Sequence, residues 1–350
     1  MVSIETVHTT NKKHFQDRPL VAVFVGATSG IGEYSVRELA KIYSAQQKTS
    51  LRVYIVGRNQ TAADAVVAAC SKLCSEAVFH FVAAQDLALI QEVDRASDGI
   101  LRFEQEEHKN EQPRIDLLVM TQGKVVFGGR QDTNEGLDRT MSLIYYSRIR
   151  LITNLLPLLL VSQRSASIIS VYGAGLEGKL FTSDLSLRDA KHYDFNNARS
   201  HITHFTTMAF ERLAREHHGR LSLVHVFPGI VVTPAYVDKD HPWWFKLTWG
   251  LVGPFVQRFK AIGAEESGHR MLYLATGAFG TTGQDGRSSP VAKGTDGVSR
   301  SGAYAVGENS EPLAVEAKYK RMREDGFETI IWKHTTQAFK EIEAGRRFSA

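Results

Sequence analysis

The stretch that decides the fold is Val21-Ala22-Val23-Phe24-Val25-Gly26-Ala27-Thr28-Ser29-Gly30-Ile31-Gly32, followed by an amphipathic run from Glu33 to Tyr43. An apolar, β-rich segment passes through a Gly-x-x-x-Gly-x-Gly turn directly into a helix. Glycine is needed there because a bare backbone can take a positive φ, admit a pyrophosphate close to its N–H groups and let the helix pack tightly on the strand. The helix start adds partial positive charge. A tight turn that binds nothing would also use glycine, but the placement of this one between a Val-rich strand and an amphipathic helix favours a nucleotide.

Outward from this turn, short apolar runs alternate with helical periodicity from Leu20 to about Ala235. Strands are expected over 21–25, 52–56, 77–82, 117–120, 166–170 and 221–226, and helices over 33–43, 61–73, 89–106, 136–161 and 197–216. This is the pattern of an α/β doubly wound parallel sheet, the Rossmann fold. His241 to Phe259 gathers Trp243, Trp244 and Trp249 with Phe245, Phe255 and Phe259, and reads as a C-terminal substrate flap over an apolar ligand. Residues 277–302 are glycine-rich and read as a flexible loop, and 313–345 as a helical extension. The expected organisation is an N-terminal extension over 1–18, a dinucleotide-binding domain over 19–276 that includes the flap at 236–262, and a loop with helical extension over 277–350.

Composition narrows the function. The chain has 350 residues, 43% of them hydrophobic, enough for a sizeable core. Lys and Arg number 42 against 38 Asp and Glu, with no block of like charge, so no nucleic-acid partner is expected. Cys70 and Cys74 suit helix packing better than a disulfide or a zinc site, which favours a reducing compartment. No signal-peptide pattern opens the chain, and Leu155 to Val161 is too short an apolar run to span a bilayer. A cytoplasmic protein without stable membrane insertion is expected, with Lys246, Arg258 and Lys260 keeping a membrane-surface contact open. His201 and His204 lie one helical turn apart without a third ligand at metal spacing, so no metal is expected.

At the end of the second strand stand Gly57-Arg58-Asn59, where a dinucleotide ribose should lie. A guanidinium there suits a 2′-phosphate, so Arg58 favours NADP(H). Asp86-Leu87 ends the third strand and either meets the adenine edge or caps the next helix.

These segments resemble the short-chain dehydrogenase/reductase family over roughly 20–235. Pro228-Gly229-Ile230-Val231-Val232-Thr233 resembles its Pro-Gly-x-Val-x-Thr segment beside the nicotinamide, and Ser170-Val171-Tyr172-Gly173 its strand end with the catalytic serine. Short strings such as Tyr145 to Arg148, Asn154 to Pro157 and Glu177-Gly178 are similar to members from fungal biosynthetic pathways. The resemblance implies cofactor contacts at Gly26, Thr28, Ser29, Gly30, Ile31, Gly32, Arg58, Asn59, Asp86, Leu87, Gly123, Pro228, Gly229, Val231 and Thr233. It also implies a tyrosine acid with a lysine four residues later. None of the 11 tyrosines has one. Tyr193 with Asn197 comes nearest; other registers give Asp194 with Ala198 or Phe195 with Arg199, and Arg199 or Lys191 stands by to supply the charge. The relay asparagine falls near Ile144 or Tyr145, and Asn-Ala-Gly after the fourth strand is Thr121-Gln122-Gly123.

The expected function is NADPH-dependent reduction of a carbonyl, or oxidation of an alcohol, on a bulky apolar metabolite, with Ser170 polarising the oxygen and Tyr193 or a water moving the proton. The missing lysine keeps a second reading open: a non-redox cyclase, isomerase or pericyclase with a retained or vestigial nucleotide site. Homo-oligomers are common in the family.

Overall fold

The computed structural model describes residues 1–45, 50–107, 112–124, 128–237, 241–282 and 291–350. Its centre is a parallel sheet of β1 (Leu20–Val25), β2 (Leu51–Gly57), β3 (Val78–Ala83), β4 (Leu117–Met120), β5 (Ala166–Val171), β6 (Leu221–Val226) and β7 (Ala303–Val306). The order is β3-β2-β1-β4-β5-β6-β7, all seven parallel. Chain direction reverses across the sheet between β1 and β4, and ligands of such folds sit outside the carboxyl ends at that point.

Every residue of β1 is buried, because both faces of the sheet are covered. Alternation along the strand divides the core. Val21, Val23 and Val25 face α4 (Ile90–Glu107), α6 (Ser147–Leu159), α7 (Phe195–Glu216) and α11 (Phe327–Glu343), whereas Leu20, Ala22 and Phe24 face α1 (Ile4–Phe15), α2 (Gly30–Ser44), α3 (Gln60–Leu73) and α9 (Ala264–Tyr273). The expected strands and helices are present with ends shifted by a few residues.

Four regions differ from the expectation. A seventh strand, β7, follows the glycine-rich segment and pairs with β6 through Leu223↔Ala303 to Val226↔Val306, so the expected six strands are one too few. Of the expected loop, 283–290 lie outside the described residues. The helix expected over 136–161 starts later, at α5 (Arg139–Met141), where the Asp138 carboxylate accepts from Thr140 and Met141 N–H. It then passes through a π turn, Ser142–Tyr146, into α6. The two buried phenols of that turn reach α11: Tyr145 Oη lies 2.8 Å from Thr335 Oγ1, and Tyr146 Oη 2.8 Å from His334 Nε2. The carboxyl end is therefore part of the core. Phe348 N–H donates to Glu135 O at 2.8 Å and Ser186 Oγ donates to Ala350 O at 2.6 Å.

The N-terminal segment is the fourth. Its buried residues, Val7, Asn11 and Phe15, recur every fourth position, and Asn11 Nδ2 donates to His269 O on α9 at 2.8 Å. Cys70 and Cys74 are buried and free, and burial pushes the Cys70 thiol up to about 11. Among the described residues no helix is long and apolar enough to cross a membrane.

The tightest approach of α2 to the sheet is at Gly32, where a Cβ would stand 2.7 Å from Thr121 Oγ1 and 2.8 Å from Ala27 Cα. Gly32→Val is therefore expected to destabilise the protein by about 1–3 kcal/mol in urea unfolding. Gly250→Ala, at a helical position with open space around it, should leave stability unchanged or raise it by up to about 1 kcal/mol. Equal effects of the two would contradict this packing.

Candidate active site

At the carboxyl end of β1 the chain turns at Gly26, φ +80°, where a Cβ would lie 2.7 Å from the backbone nitrogen of Gln122. The ends of β1 and β4 thus touch backbone to backbone. Thr121 locks them: its hydroxyl donates to Val25 O at 2.9 Å and its N–H to the same carbonyl at 2.9 Å. Ser29 is the N-cap of α2, extended and exposed, and its side chain makes no bond to the helix. The first-turn amides of α2 consequently lack a side-chain cap, the arrangement that receives an anion. Gly30, φ +62°, faces Thr233, whose Cγ2 lies 3.0 Å from the position a Cβ would take. The glycine turn and the Pro228–Thr233 segment, two hundred residues apart, therefore meet across one crevice. Ile31 is half-buried beside them, and Thr28 packs its methyl under Gly57 at the end of β2.

On the neighbouring strand Arg58 is exposed and makes no ion pair among the described residues. Asn59 caps α3, its Oδ1 accepting from Ala62 N–H at 3.0 Å. Asp86 accepts from Ala88 N–H at 3.0 Å in the turn before α4 and pairs with Arg139 Nη2 at 2.6 Å, while the first amides of α4, Ile90 and Gln91 N–H, go to the Glu135 carboxylate at 2.6 and 3.1 Å. Leu87 is buried in the core. Gly123 is exposed at the end of β4; Pro228 and Gly229 are half-buried and Val231 is buried beyond β6.

Below the crevice, at the carboxyl ends of β4 and β5, sits a group the sequence reading did not select. Arg148, on α6, is fully buried, and Nη1 donates to Ser170 Oγ at 2.8 Å and Val171 O at 3.0 Å. Its Nη2 donates to Gln122 O at 2.6 Å. All three acceptors are neutral, and Nε has no partner. Burial brings the guanidinium down to about 9, so it stays charged at neutral pH. On β6, His225 Nε2 accepts from Gly173 N–H at 3.2 Å, and burial with the nearby Arg148 charge drops it to about 3. The imidazole is neutral there, and the uncompensated charge beneath the crevice is positive. The sequence did carry a signal, a charged residue inside the helix expected over 136–161.

Ser170 itself is buried and holds its hydroxyl against Arg148. Tyr193 does not join it. The phenol of Tyr193 is hydrogen-bonded to Asp138 and Thr140, and burial together with the Asp138 charge pushes it well above its ordinary value. A lysine neighbour would do the opposite. Asn197 donates to His192 O at 2.9 Å and to Asp194. The residues of α7 that meet the end of β5 are Arg199 and Thr203: Arg199 Cγ lies 3.6 Å from a Cβ position at Gly173, and Thr203 Oγ1 bonds Gly173 O at 3.2 Å. Tyr172 lies between Val171 and Gly173 at this strand end. Burial pushes its phenol up to about 12, with the charges of Arg199 and Arg148 pulling the other way. His201 and His204 serve the loop after β5, His201 Nε2 accepting from Phe181 N–H at 3.0 Å and His204 Nε2 donating to Gly178 O at 3.1 Å.

The aromatic segment forms one helix, α8 (Trp243–Phe259), running through Gly250, Gly253 and Pro254. Trp249 stacks on Tyr236 with centroids 4.4 Å apart and lies parallel to Phe245 at 6.1 Å, while Trp243, Leu247, Leu251, Phe255 and Phe259 are exposed. Tyr236 follows Thr233 by one turn, N–H to O at 3.0 Å, which puts the aromatic stack next to the crevice. A separate cavity of about 1220 Å³ opens at the amino ends of the strands, beside Pro19, Asp116 and Arg164, away from this chemistry.

No family model matches the chain. It is 36% identical over 351 residues to a short-chain dehydrogenase/reductase, SAT2, of Stachybotrys chartarum, covering 98% of each chain. It is 35% identical over 342 residues to the oxidoreductase AN1596 of Emericella nidulans, covering 96% of this chain and 97% of that one. Among solved structures, L-sorbose reductase of Gluconobacter frateurii, complexed with NADPH and L-sorbose, superposes with a TM-score of 0.51 at 16% identity, over 75% of this chain and 91% of that one. That likeness speaks for the fold. With 36% identity sustained over nearly the whole of both chains, on a glycine turn and strand order of this kind, the chain belongs to the short-chain dehydrogenase/reductase family of oxidoreductases.

Proposed function

We propose that this oxidoreductase uses NADP(H) to interconvert a carbonyl and an alcohol on a bulky apolar metabolite, of the kind fungal biosynthetic pathways make. The observation that carries the reading is the uncapped amino end of α2 facing Thr233 across Gly30, a cleft with bare backbone on one side. Arg58, exposed and unpaired at the end of β2, supports the phosphorylated form of the cofactor. The L-sorbose reductase with the same fold is described with NADPH.

When bound, NADPH supplies the hydride. The chain's part is to hold it and to manage charge. The α2 amides receive the pyrophosphate, and Pro228, Gly229, Val231 and Thr233 flank the nicotinamide half. Ser170 and Arg148 present a fixed positive field to the oxygen that gains charge, which lowers the barrier without reorganisation. For the proton we assign Tyr172 in preference to Tyr193, because the charges of Arg199 and Arg148 pull the Tyr172 phenol down whereas Tyr193 is tied to the carboxylate of Asp138. Tyr236, Phe245 and Trp249 give the substrate an apolar wall.

Two measurements test this. In nicotinamide-fluorescence titrations, Arg58→Asp should weaken NADPH binding by about ten- to a hundredfold, the worth of a charge-assisted hydrogen bond, and improve NADH relative to it. An unchanged NADPH to NADH ratio would reject the contact. In turnover assays over a panel of apolar ketones, Tyr172→Phe should lower kcat by about two to four orders of magnitude, and Tyr193→Phe by less than about tenfold. The reverse ranking would return the proton to Tyr193. Tight NADPH binding with no turnover of any ketone or alcohol would favour cyclisation or isomerisation.

A further inference from the structure

On the face of the sheet away from Arg148, α1 and α9 pack beside α2. His8 of α1 and His269 of α9 meet with ring centroids 4.0 Å apart and planes tilted at 46°. Glu265 precedes His269 by four residues on α9, so both side chains leave the same helix face. One donor atom from each of His8, Glu265 and His269 lies within 4.8 Å of the others, and among the described residues this is the only such group of three or more. The Nε2 of His8 is buried and has no hydrogen-bond partner, and neither have the neighbouring Asn11 Oδ1, Glu38 Oε2 and Ser267 Oγ, which is costly for buried polar atoms. Next to them on α2, Glu38 Oε2 lies 3.3 Å from His269 Nε2, the carboxylate contact that orients a metal-bound imidazole.

We propose that His8, Glu265 and His269 together bind one divalent transition cation, zinc or a first-row neighbour, which clips the amino-terminal helix to the body of the protein. Two imidazoles and one carboxylate suit these ions and are a poor set for magnesium or calcium. Ligand atoms around tetrahedral zinc stand about 3.4 Å apart, inside the 4.8 Å that bounds this group. Glu265 is exposed, which leaves water access to a fourth position. No sequence spacing reveals the site, because His8 and His269 stand far apart in the chain and only the docking of α1 on α9 unites them. The proposal does not depend on the nucleotide reading.

The test uses the full, tag-free chain after chelator treatment. Isothermal titration with zinc should show one equivalent bound, and cobalt should give the visible absorption bands of a four- or five-coordinate nitrogen and oxygen site. Zinc should also raise the melting temperature. His8→Gln and His269→Gln should each remove the stoichiometric step and the melting shift, and Glu38→Gln should weaken binding by about ten- to a hundredfold. Glu265→Gln changes an exposed side chain and leaves packing intact; it should lose cobalt absorbance while keeping the metal-free melting temperature. His217→Gln with His218→Gln should leave binding unchanged. Absence of a stoichiometric step in the unaltered chain, or its survival in the His8, His269 and Glu265 variants, overturns the proposal.

Discussion

The structure depends on the exclusion of side chains where β1 runs into α2. With only hydrogen on Gly26 and Gly32, the ends of β1 and β4 and the first turn of α2 close to backbone contact, and Thr121 ties them with its hydroxyl. One methyl group at either position would separate elements that hold each other in register. The same constraint leaves the helix amides bare, so the feature that lets the core close also creates the charged end of the crevice. Position in the sheet does the rest: β4 and β5 present their carboxyl ends next to it, and the loop after β6 returns to meet Gly30 through Thr233.

At the proposed reacting end, electrostatics follow a different plan from the tyrosine and lysine pair that the family resemblance implies. Positive charge comes from beneath, through Arg148, and from the side, through Arg199. A buried guanidinium bonded only to neutral oxygens is expensive to keep. Its retention at the floor of the crevice makes sense when an adjacent group carries negative charge part of the time, as an oxygen accepting hydride does. His225, neutral by burial, adds a fixed dipole without compensating the charge.

Much of the fold was legible in the sequence. The continuous apolar run of β1, the glycines after it and the alternation of strands and helices that follows are local signals, and each survives in the structure. What lay hidden was nonlocal. β7 has four residues, Ala-Tyr-Ala-Val, after a glycine-rich run, and only its pairing with β6 makes it a strand. The polar α1 is recognisable as a docked helix once α9 is beside it. Tyr193 comes nearest the motif by local spacing alone, since an ungapped count into α7 gives Asp194 with Ala198. The chain between Gly173 and Asp194 instead forms its own packed loop, held by His201 and His204, and this moves Arg199 and Thr203 to the position beside β5. Arg148 could be noticed as a charge in an apolar helix, but its acceptors on Gln122, Ser170 and Val171 come from two strands.

The central claim is that the crevice above β1, β4 and β5 holds NADP(H) with its reactive end over the Arg148 and Ser170 pair. A crystal structure of the chain grown with saturating NADP⁺ tests it most directly. The account predicts the 2′-phosphate on Arg58, the pyrophosphate on the amides of Ser29 to Ile31, and the nicotinamide between Thr233 and Ser170. A crevice that stays filled by protein side chains at that concentration, or a nucleotide bound elsewhere, would contradict it.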